Sequence, residues 1–284
     1  MGSYIRAENY SPLRYPGGKA KLSAYFKEIY KQNCLFDGVY FEPYAGGAGV
    51  ALSLLFNQYV SKIIINDFDY AIYALWYSII NETERLIELI DTTKIDIPTW
   101  LRMRRINRTE KKNIVMLGFS TLFLNRTNRS GIIDAGVIGG LSQDGKWKID
   151  ARFNREEIIS RIIQISRFRK DIEVYNLDAI ELLKTHKLIH EKKTFVYLDP
   201  PYYIKGKDLY LNYYNSSDHK NVLNCLEMSN LENWMVTYDN VEFIRRLYKK
   251  YRQQEYSLNY CAAKYQKGSE IAIYSSNLSI PKFA

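Results

Sequence analysis

Apolar residues along the chain change their spacing twice. Near the amino terminus the chain reads as a loop and helix, after which short runs of strand character alternate with helical spacing. Residues 39–43 form a strand candidate, 45–49 a glycine-bearing turn, 50–59 a helix, and 62–66 a short β-branched strand ending at Asp67. Together these make a β-α-β unit. From residue 70 through 101 and beyond, the spacing is mainly helical. It is interrupted between 125 and 147 by a polar, glycine-bearing stretch with hairpin-like punctuation, and helical spacing resumes over 156–168. Strand and helix then alternate again, with strands over 172–175 and 194–198, a helix over 179–186, and later strands over 234–237 and 270–274. The simplest topology is an α/β sheet that the chain leaves near residue 71 and rejoins near 172. Residues 1–70 and 172–284 then build the sheet, and 71–171 form an insertion. In an open α/β sheet, ligands bind beyond the carboxyl ends of the strands. Glu42, Asp67, Asp178 and Asp199 all fall at or just after predicted strand ends, which places them on one rim of one cleft.

Composition agrees with a folded chain of one large core, since 46% of the 284 residues are hydrophobic. The formal charge is +9, and residues 100–170 alone carry 16 Lys and Arg against 6 Asp and Glu. A surplus confined to one segment suits a polyanion-binding face, although a solvated basic helix surface gives the same count. No apolar run reaches the roughly 18–20 residues that span a bilayer, and residues 1–10 lack a signal-peptide core. A soluble, cytoplasmic protein is therefore expected. Cys34, Cys225 and Cys261 lie far apart without C-x-x-C spacing, so neither structural zinc nor disulfides are expected. His186 and His190, four apart, have no third ligand at metal-site spacing and read as a solvated helix face. Tyr248, Lys249, Lys250 and Tyr251 read the same way.

Two motifs carry chemistry. Phe41-Glu42-Pro43-Tyr44-Ala45-Gly46-Gly47-Ala48-Gly49 follows a strand with small residues that let a ligand approach the backbone, or it is an ordinary tight turn. Asp67 lies about 20 residues further on, where an acid bonds the ribose of an adenosine-containing ligand; a helix N-cap is the competing role. Asp199-Pro200-Pro201-Tyr202 is sharper. An amine conjugated to a purine is a poor nucleophile, because its lone pair is delocalised. A carboxylate and a main-chain carbonyl accepting its two hydrogens would orient that lone pair for in-line attack on a sulfonium methyl. Asp199 and the Pro200 carbonyl supply such acceptors, two prolines stiffen the loop, and Tyr202 offers a ring for an extruded base, a contact of about 1–3 kcal/mol. A rigid turn after a strand is the plain alternative. Tyr213-Tyr214 and Asp218-His219 read as part of a lid over the base, and residues 210–214 equally as a surface strand.

The order Arg14-Tyr15-Pro16-Gly17-Gly18-Lys19, then residues 41–49, then Asp199-Pro200-Pro201-Tyr202 resembles the Dam-type, alpha-group adenine-N6 DNA methyltransferases over nearly the whole chain. The resemblance implies a Rossmann-like S-adenosylmethionine-dependent sheet with an inserted, mainly helical target-recognition domain bearing a β-hairpin. It implies a cofactor site of Tyr15, Lys19, Glu42, Pro43, Tyr44, Ala45, Gly46, Gly47, Asp67, Asp178 and Asp199, and a catalytic group of Asp199, Pro200 and Tyr202. Residues 123–131 resemble the family's DNA-contacting hairpin region, giving Arg126, Asn128 and Arg129 as DNA-binding residues that read guanine or grip phosphate. The chain departs from Dam in having Tyr15-Pro16 where Dam has a tryptophan and a small residue, and in a longer glycine-rich stretch through Gly139-Gly140. The implied activity is methyl transfer to N6 of adenine within a short sequence of double-stranded DNA, with base flipping. It is carried out by a monomer without metal, with a cognate restriction endonuclease as a separately acting companion. RNA adenine, cytosine N4 and a catalytically silent DNA-binding subunit are the rival readings.

Overall fold

A computed structural model describes residues 10–14, 19–203, 214–259 and 267–283. Seven strands form one sheet: β1 (Gly38–Glu42), β2 (Val60–Asn66), β3 (Ile172–Tyr175), β4 (Phe195–Leu198), β5 (Trp234–Asp239), β6 (Arg252–Asn259) and β7 (Lys267–Tyr274). Their order is β3-β2-β1-β4-β5-β7-β6. The first five are mutually parallel, and β7 runs antiparallel to both β5 and β6. The chain winds outward from β1 to β3 and then crosses back to place β4 on the other side of β1. That switch opens a crevice beyond the carboxyl ends of β1 and β4, where Glu42 and Asp199 stand. This is the open, Rossmann-like α/β sheet that the sequence leads one to expect.

Successive strand residues feed two cores. Tyr40, Ile63, Ile65, Phe195 and Tyr197 point to one face, which is covered by α1 (Ser23–Gln32) and α2 (Gly49–Phe56). Phe41, Ile64, Val196, Leu198 and Val236 point to the other, against α8 (Ala179–Thr185), α9 (Ser216–Met228) and α10 (Glu242–Leu247). Between β2 and β3 the chain is helical: α3 (Tyr70–Asn81), α4 (Thr83–Thr92), α5 (Ile97–Thr109), α6 (Ile114–Thr127) and α7 (Arg155–Ser166). The starts of α3, α5, α6 and α7 are set by side-chain caps, Asp69 on Ala71, Asp96 on Thr99, Asn113 on Met116 and Asn154 on Glu157. Their apolar faces join the same core as α1 and α2, so residues 71–171 add no strand but are packed continuously with the sheet domain.

In place of a hairpin over 125–147, the structure has one isolated antiparallel bridge, Asn128 with Val137. The reason is local: side chains take the backbone partners that a ladder would use, Asn128 bonding the Ile132 and Ile133 carbonyls and Gln143 those of Ile138 and Gly140. The sequence also misplaces two residues. Tyr248 is buried between Tyr238 and Tyr251, and His186 is buried with its ring against Phe41 and Tyr175 and its Nε2 3.2 Å from Glu173. No helix among the described residues is long and apolar enough to cross a membrane.

The helical layer depends on one close crossing. A Cβ at Gly118 of α6 would lie 2.5 Å from the Ala74 carbonyl and 2.7 Å from Ser78 Oγ on α3. Gly118→Ala is expected to force those helices apart at a cost of about 1–3 kcal/mol, read as a lowered Tm; an unchanged Tm would contradict this packing.

Candidate active site

The glycine turn after β1 is held from several sides. Asn66, buried at the end of β2, donates to the Pro43 carbonyl (2.9 Å) and the Leu177 carbonyl (3.0 Å), and accepts from Leu177 N (2.8 Å), so it ties the ends of three strands. Ala45 N donates to the Asn66 carbonyl. The Gly46 amide donates to Asp67 Oδ2 and the Gly46 carbonyl accepts from Trp76 Nε1, each at 2.9 Å. Gly46 and Ala48 both take φ near +47°, a left-handed conformation that lets the chain turn sharply into α2. A Cβ on Gly49 would lie 2.9 Å from the Ala20 Cβ, so its absence lets the 3-10 turn Lys19–Leu22 lie against the start of α2.

Asp67 is half-buried, and its other oxygen accepts from Asp69 N. Asp69 caps α3, so an N-cap does not explain Asp67. Burial pushes the Asp67 carboxyl up to about 7. Glu42 is buried, with Oε2 accepting from Ala51 N, and burial pushes it to about 8. Phe68, which the sequence reading passed over, stands exposed beside Asp67, and its carbonyl and that of Asp67 are held by Asn176.

Asp199 leaves β4 with both oxygens engaged. Lys19 Nζ donates to Oδ2 at 2.8 Å and Thr237 Oγ1 to Oδ1 at 2.7 Å. Thr237, on the neighbouring β5, shares a further hydrogen bond with Tyr197 OH. Lys19 also faces Glu270 of β7 at 4.0 Å, and Tyr256 OH donates to that same Glu270 oxygen at 2.6 Å. Burial raises the Asp199 carboxyl, against the lowering influence of Lys19. The ring of Tyr202 lies 5.1 Å from Lys19 Nζ. Buried Asp239 accepts from Tyr203 N at 2.9 Å, and the Tyr203 ring stacks on Phe243, which fixes the far end of the Pro200-Pro201 loop. Thr237, Asp239 and Glu270 were missed by the sequence reading because they sit within later strands and reveal their role only through strand pairing.

Asp178 caps α8 by accepting from the amides of Ile180 and Glu181. It stands exposed on the wall of a cavity of about 480 Å³ between α8 and α9, with Lys184, Tyr214, Asp218 and Asn221. Tyr214 OH meets Tyr44 OH at 3.0 Å, which joins this cavity to the segment entering the glycine turn. Tyr15 and residues 204–213 lie outside the described residues. Among the described residues, no group of three or more His, Cys, Asp and Glu could hold a metal ion.

The expected DNA contacts divide. Arg126 is buried, and its guanidinium donates to the Pro12 carbonyl, with Nε at 2.7 Å. Asn128 is buried too, accepting from Trp100 Nε1 at 2.7 Å. Neither side chain faces solvent, because each closes the end of α6 against its neighbours. Arg129 is exposed. Asn125, also buried, accepts from Arg14 N (2.8 Å) and donates to the carbonyls of Arg14 (3.1 Å) and Gly131 (2.7 Å). It thereby ties Arg14 to the turn that follows α6.

The raised carboxyls of Glu42 and Asp67 predict a pH dependence. Glu42, with an ordinary value of 4.5, titrates near 8 in the fold, so its contribution to stability is full below about 4.5 and is lost as pH rises toward 8. Asp67, raised from 3.8 to about 7, acts in the same direction. Glu42→Gln is expected to flatten the fall in Tm between pH 5 and pH 8; equal slopes for the variant and the parent would contradict burial as the cause.

Several known proteins are similar to this chain. It is 23% identical to the Type II methyltransferase M.MjaIII of Methanocaldococcus jannaschii over 207 residues, covering 67% of this chain and 68% of that protein. Among solved structures it is similar to the rRNA methyltransferase aviRa of Streptomyces viridochromogenes, with 13% identity, a TM-score of 0.37, and 92% and 86% of the two chains covered. A conserved hypothetical protein of Streptococcus pyogenes follows at 11% identity and a TM-score of 0.34, with 85% and 88% covered. The family model described as D12 class N6 adenine-specific DNA methyltransferase matches residues 15–265. The chain therefore belongs to the D12 class of N6 adenine-specific DNA methyltransferases, a class that implies S-adenosylmethionine as methyl donor.

Proposed function

We propose that Asp199 and the main-chain carbonyl of Pro200 accept the two hydrogens of an adenine N6 amine in double-stranded DNA and so orient its lone pair for methyl transfer. The observation that carries this reading is the fixed Asp199 carboxylate, braced by Lys19 and Thr237 at the strand-end crevice, with the Tyr202 ring beside it. An amine inside a base stack is out of reach of such a pocket, so the adenine leaves the duplex and stacks on Tyr202. The bound cofactor supplies an electrophilic methyl carried on a sulfonium cation. Asp67, Asp178 and Asp199 give the crevice an acidic rim that suits such a cation, and Glu42, pushed up to about 8 by burial, adds a hydrogen-bonding group rather than a charge. Tyr15, Lys19, Pro43, Tyr44, Ala45, Gly46 and Gly47 complete the proposed cofactor site. The amine nitrogen becomes acidic only as the new bond forms, and the Asp199 oxygens, made more basic by burial, are placed to take its proton late.

In this reading residues 71–171 carry the target-recognition surface, and Arg129 reaches a base edge or a phosphate. The enzyme acts as one chain on one strand at a time within a short sequence, in the cytoplasm with the genome. The name of the M.MjaIII relative supports pairing it with a separately acting restriction endonuclease.

Incubation with methyl-labelled cofactor and either duplex DNA or RNA, followed by digestion, is expected to label N6 of deoxyadenosine; label confined to RNA or to cytosine would sink the reading. Asp199→Ala is expected to reduce turnover roughly 10²–10⁴-fold at saturating cofactor. Arg129→Ala should raise the KM for DNA about tenfold without changing Tm, as loss of one base or phosphate contact does. Arg126→Ala should instead lower Tm, because it strips the Pro12 carbonyl of its partner; the reverse pattern would reassign the two residues.

A further inference from the structure

The loop between Val137 and Ile149 presents apolar surface that the fold does not use. Leu141 and Trp147 are each 63% exposed, whereas Trp76, Trp100 and Trp234 are buried. The stems are anchored, since Val137, Ile149 and Phe153 are all in the core. The loop between them is also built. Gln143 donates to the Ile138 carbonyl at 2.8 Å and the Gly140 carbonyl at 2.5 Å and accepts from Ile149 N at 2.8 Å, while Lys148 donates to the Gln143 carbonyl. Gly139 and Gly140 supply the positive φ of 85° and 78° that this path requires. A braced loop that holds an indole in water does nothing for the core, and such exposure marks an interaction surface.

Charge and position select the partner. Lys146 Nζ lies 5.6 Å from the indole centroid, and Lys148 and Arg152 are exposed in the same stretch, within a segment where Lys and Arg outnumber Asp and Glu by 16 to 6. The bridge from Asn128 to Val137 joins this loop to the Arg129 turn, and Asn125 ties that turn to Arg14, just ahead of Lys19 and the catalytic carboxylate. We propose that residues 138–148 are a docking element for duplex DNA, with the Trp147 indole and Leu141 packing on base or sugar faces in a groove while the flanking cations meet phosphates. The proposal rests on the DNA-methylating reading above.

Tryptophan emission tests it on the full chain, because the three other indoles are shielded. Acrylamide should quench the Trp147 component in free protein, and adding a methylatable duplex should shift that component and protect it; Trp147→Phe should abolish the change. Trp147→Ala should raise the KM for duplex about tenfold, as expected for a lost stacking contact, with a much smaller change in kcat and none in cofactor affinity. Gln143→Ala, which leaves the indole in place but removes its brace, should raise KM in the same direction. If the enzyme methylates duplex DNA while Trp147 emission and the KM of Trp147→Ala stay at the parent values, the proposal fails and the active-site reading stands. Emission that follows protein concentration without DNA would assign the loop to contact between copies and overturn it. If no deoxyadenosine in duplex is labelled at all, both fall.

Discussion

A carboxylate at the end of a central strand, largely withdrawn from water, has to be held by opposite charge and hydrogen bonds, and here Lys19 and Thr237 hold it. The sheet order makes this arrangement possible. With β4 between β1 and β5, Asp199 emerges with Glu42 on one side and Thr237 on the other, and the antiparallel β7 brings Glu270 to the same ammonium. Lys19 thus answers two carboxylates from different strands, while Glu42 is driven toward its neutral form by burial. Tyr197 and Tyr256 stay protonated beside them for the same reason. Among the described residues the site is therefore a compact set of acceptors held by Lys19 and several hydroxyls, which is the basis for proposing a substrate that donates hydrogens.

The helical segment also holds the described part of the amino terminus, residues 11–14. Asn125 grips Arg14 through both backbone groups, Arg126 holds the Pro12 carbonyl, and Arg161 of α7 donates to the Ser11 carbonyl. Residues 71–171 thus carry many of the basic residues and also hold Ser11, Pro12 and Arg14. Their apolar faces lie in the same core as α1 and α2, so the two parts of the chain share one packing problem.

What could be read from the sequence was whatever short-range pattern determines. Short strand candidates followed by an acid located β1, β2 and β4, and because these strands are parallel their carboxyl ends, with Glu42, Asp67 and Asp199, lie at one edge of the sheet. Asp199-Pro200-Pro201-Tyr202 was legible because its chemistry is complete within four residues. Thr237 and Glu270 were not, because a polar residue in a strand gains meaning only when pairing brings it to a distant partner. β6, with the sequence RQQEYSLN, lacks strong alternation because it is an edge strand paired only to β7. Arg126 and Asn128 look like nucleic-acid contacts in a basic segment, yet which side of a helix end faces inward is decided by packing against residues 12 and 100. His186 was misread in the same way, since Glu173 and Tyr175 on β3 draw it inside.

The central claim is that the Asp199 carboxylate and the Pro200 carbonyl receive the amine of an extruded adenine. Its most direct test is a crystal structure of the enzyme with a non-reactive cofactor analogue and duplex DNA containing its target. The account predicts adenine N6 within about 3 Å of both an Asp199 oxygen and the Pro200 carbonyl, with the base stacked on Tyr202. An adenine amine bound elsewhere, with Asp199 still closed on Lys19 and Thr237 and out of its reach, would contradict it.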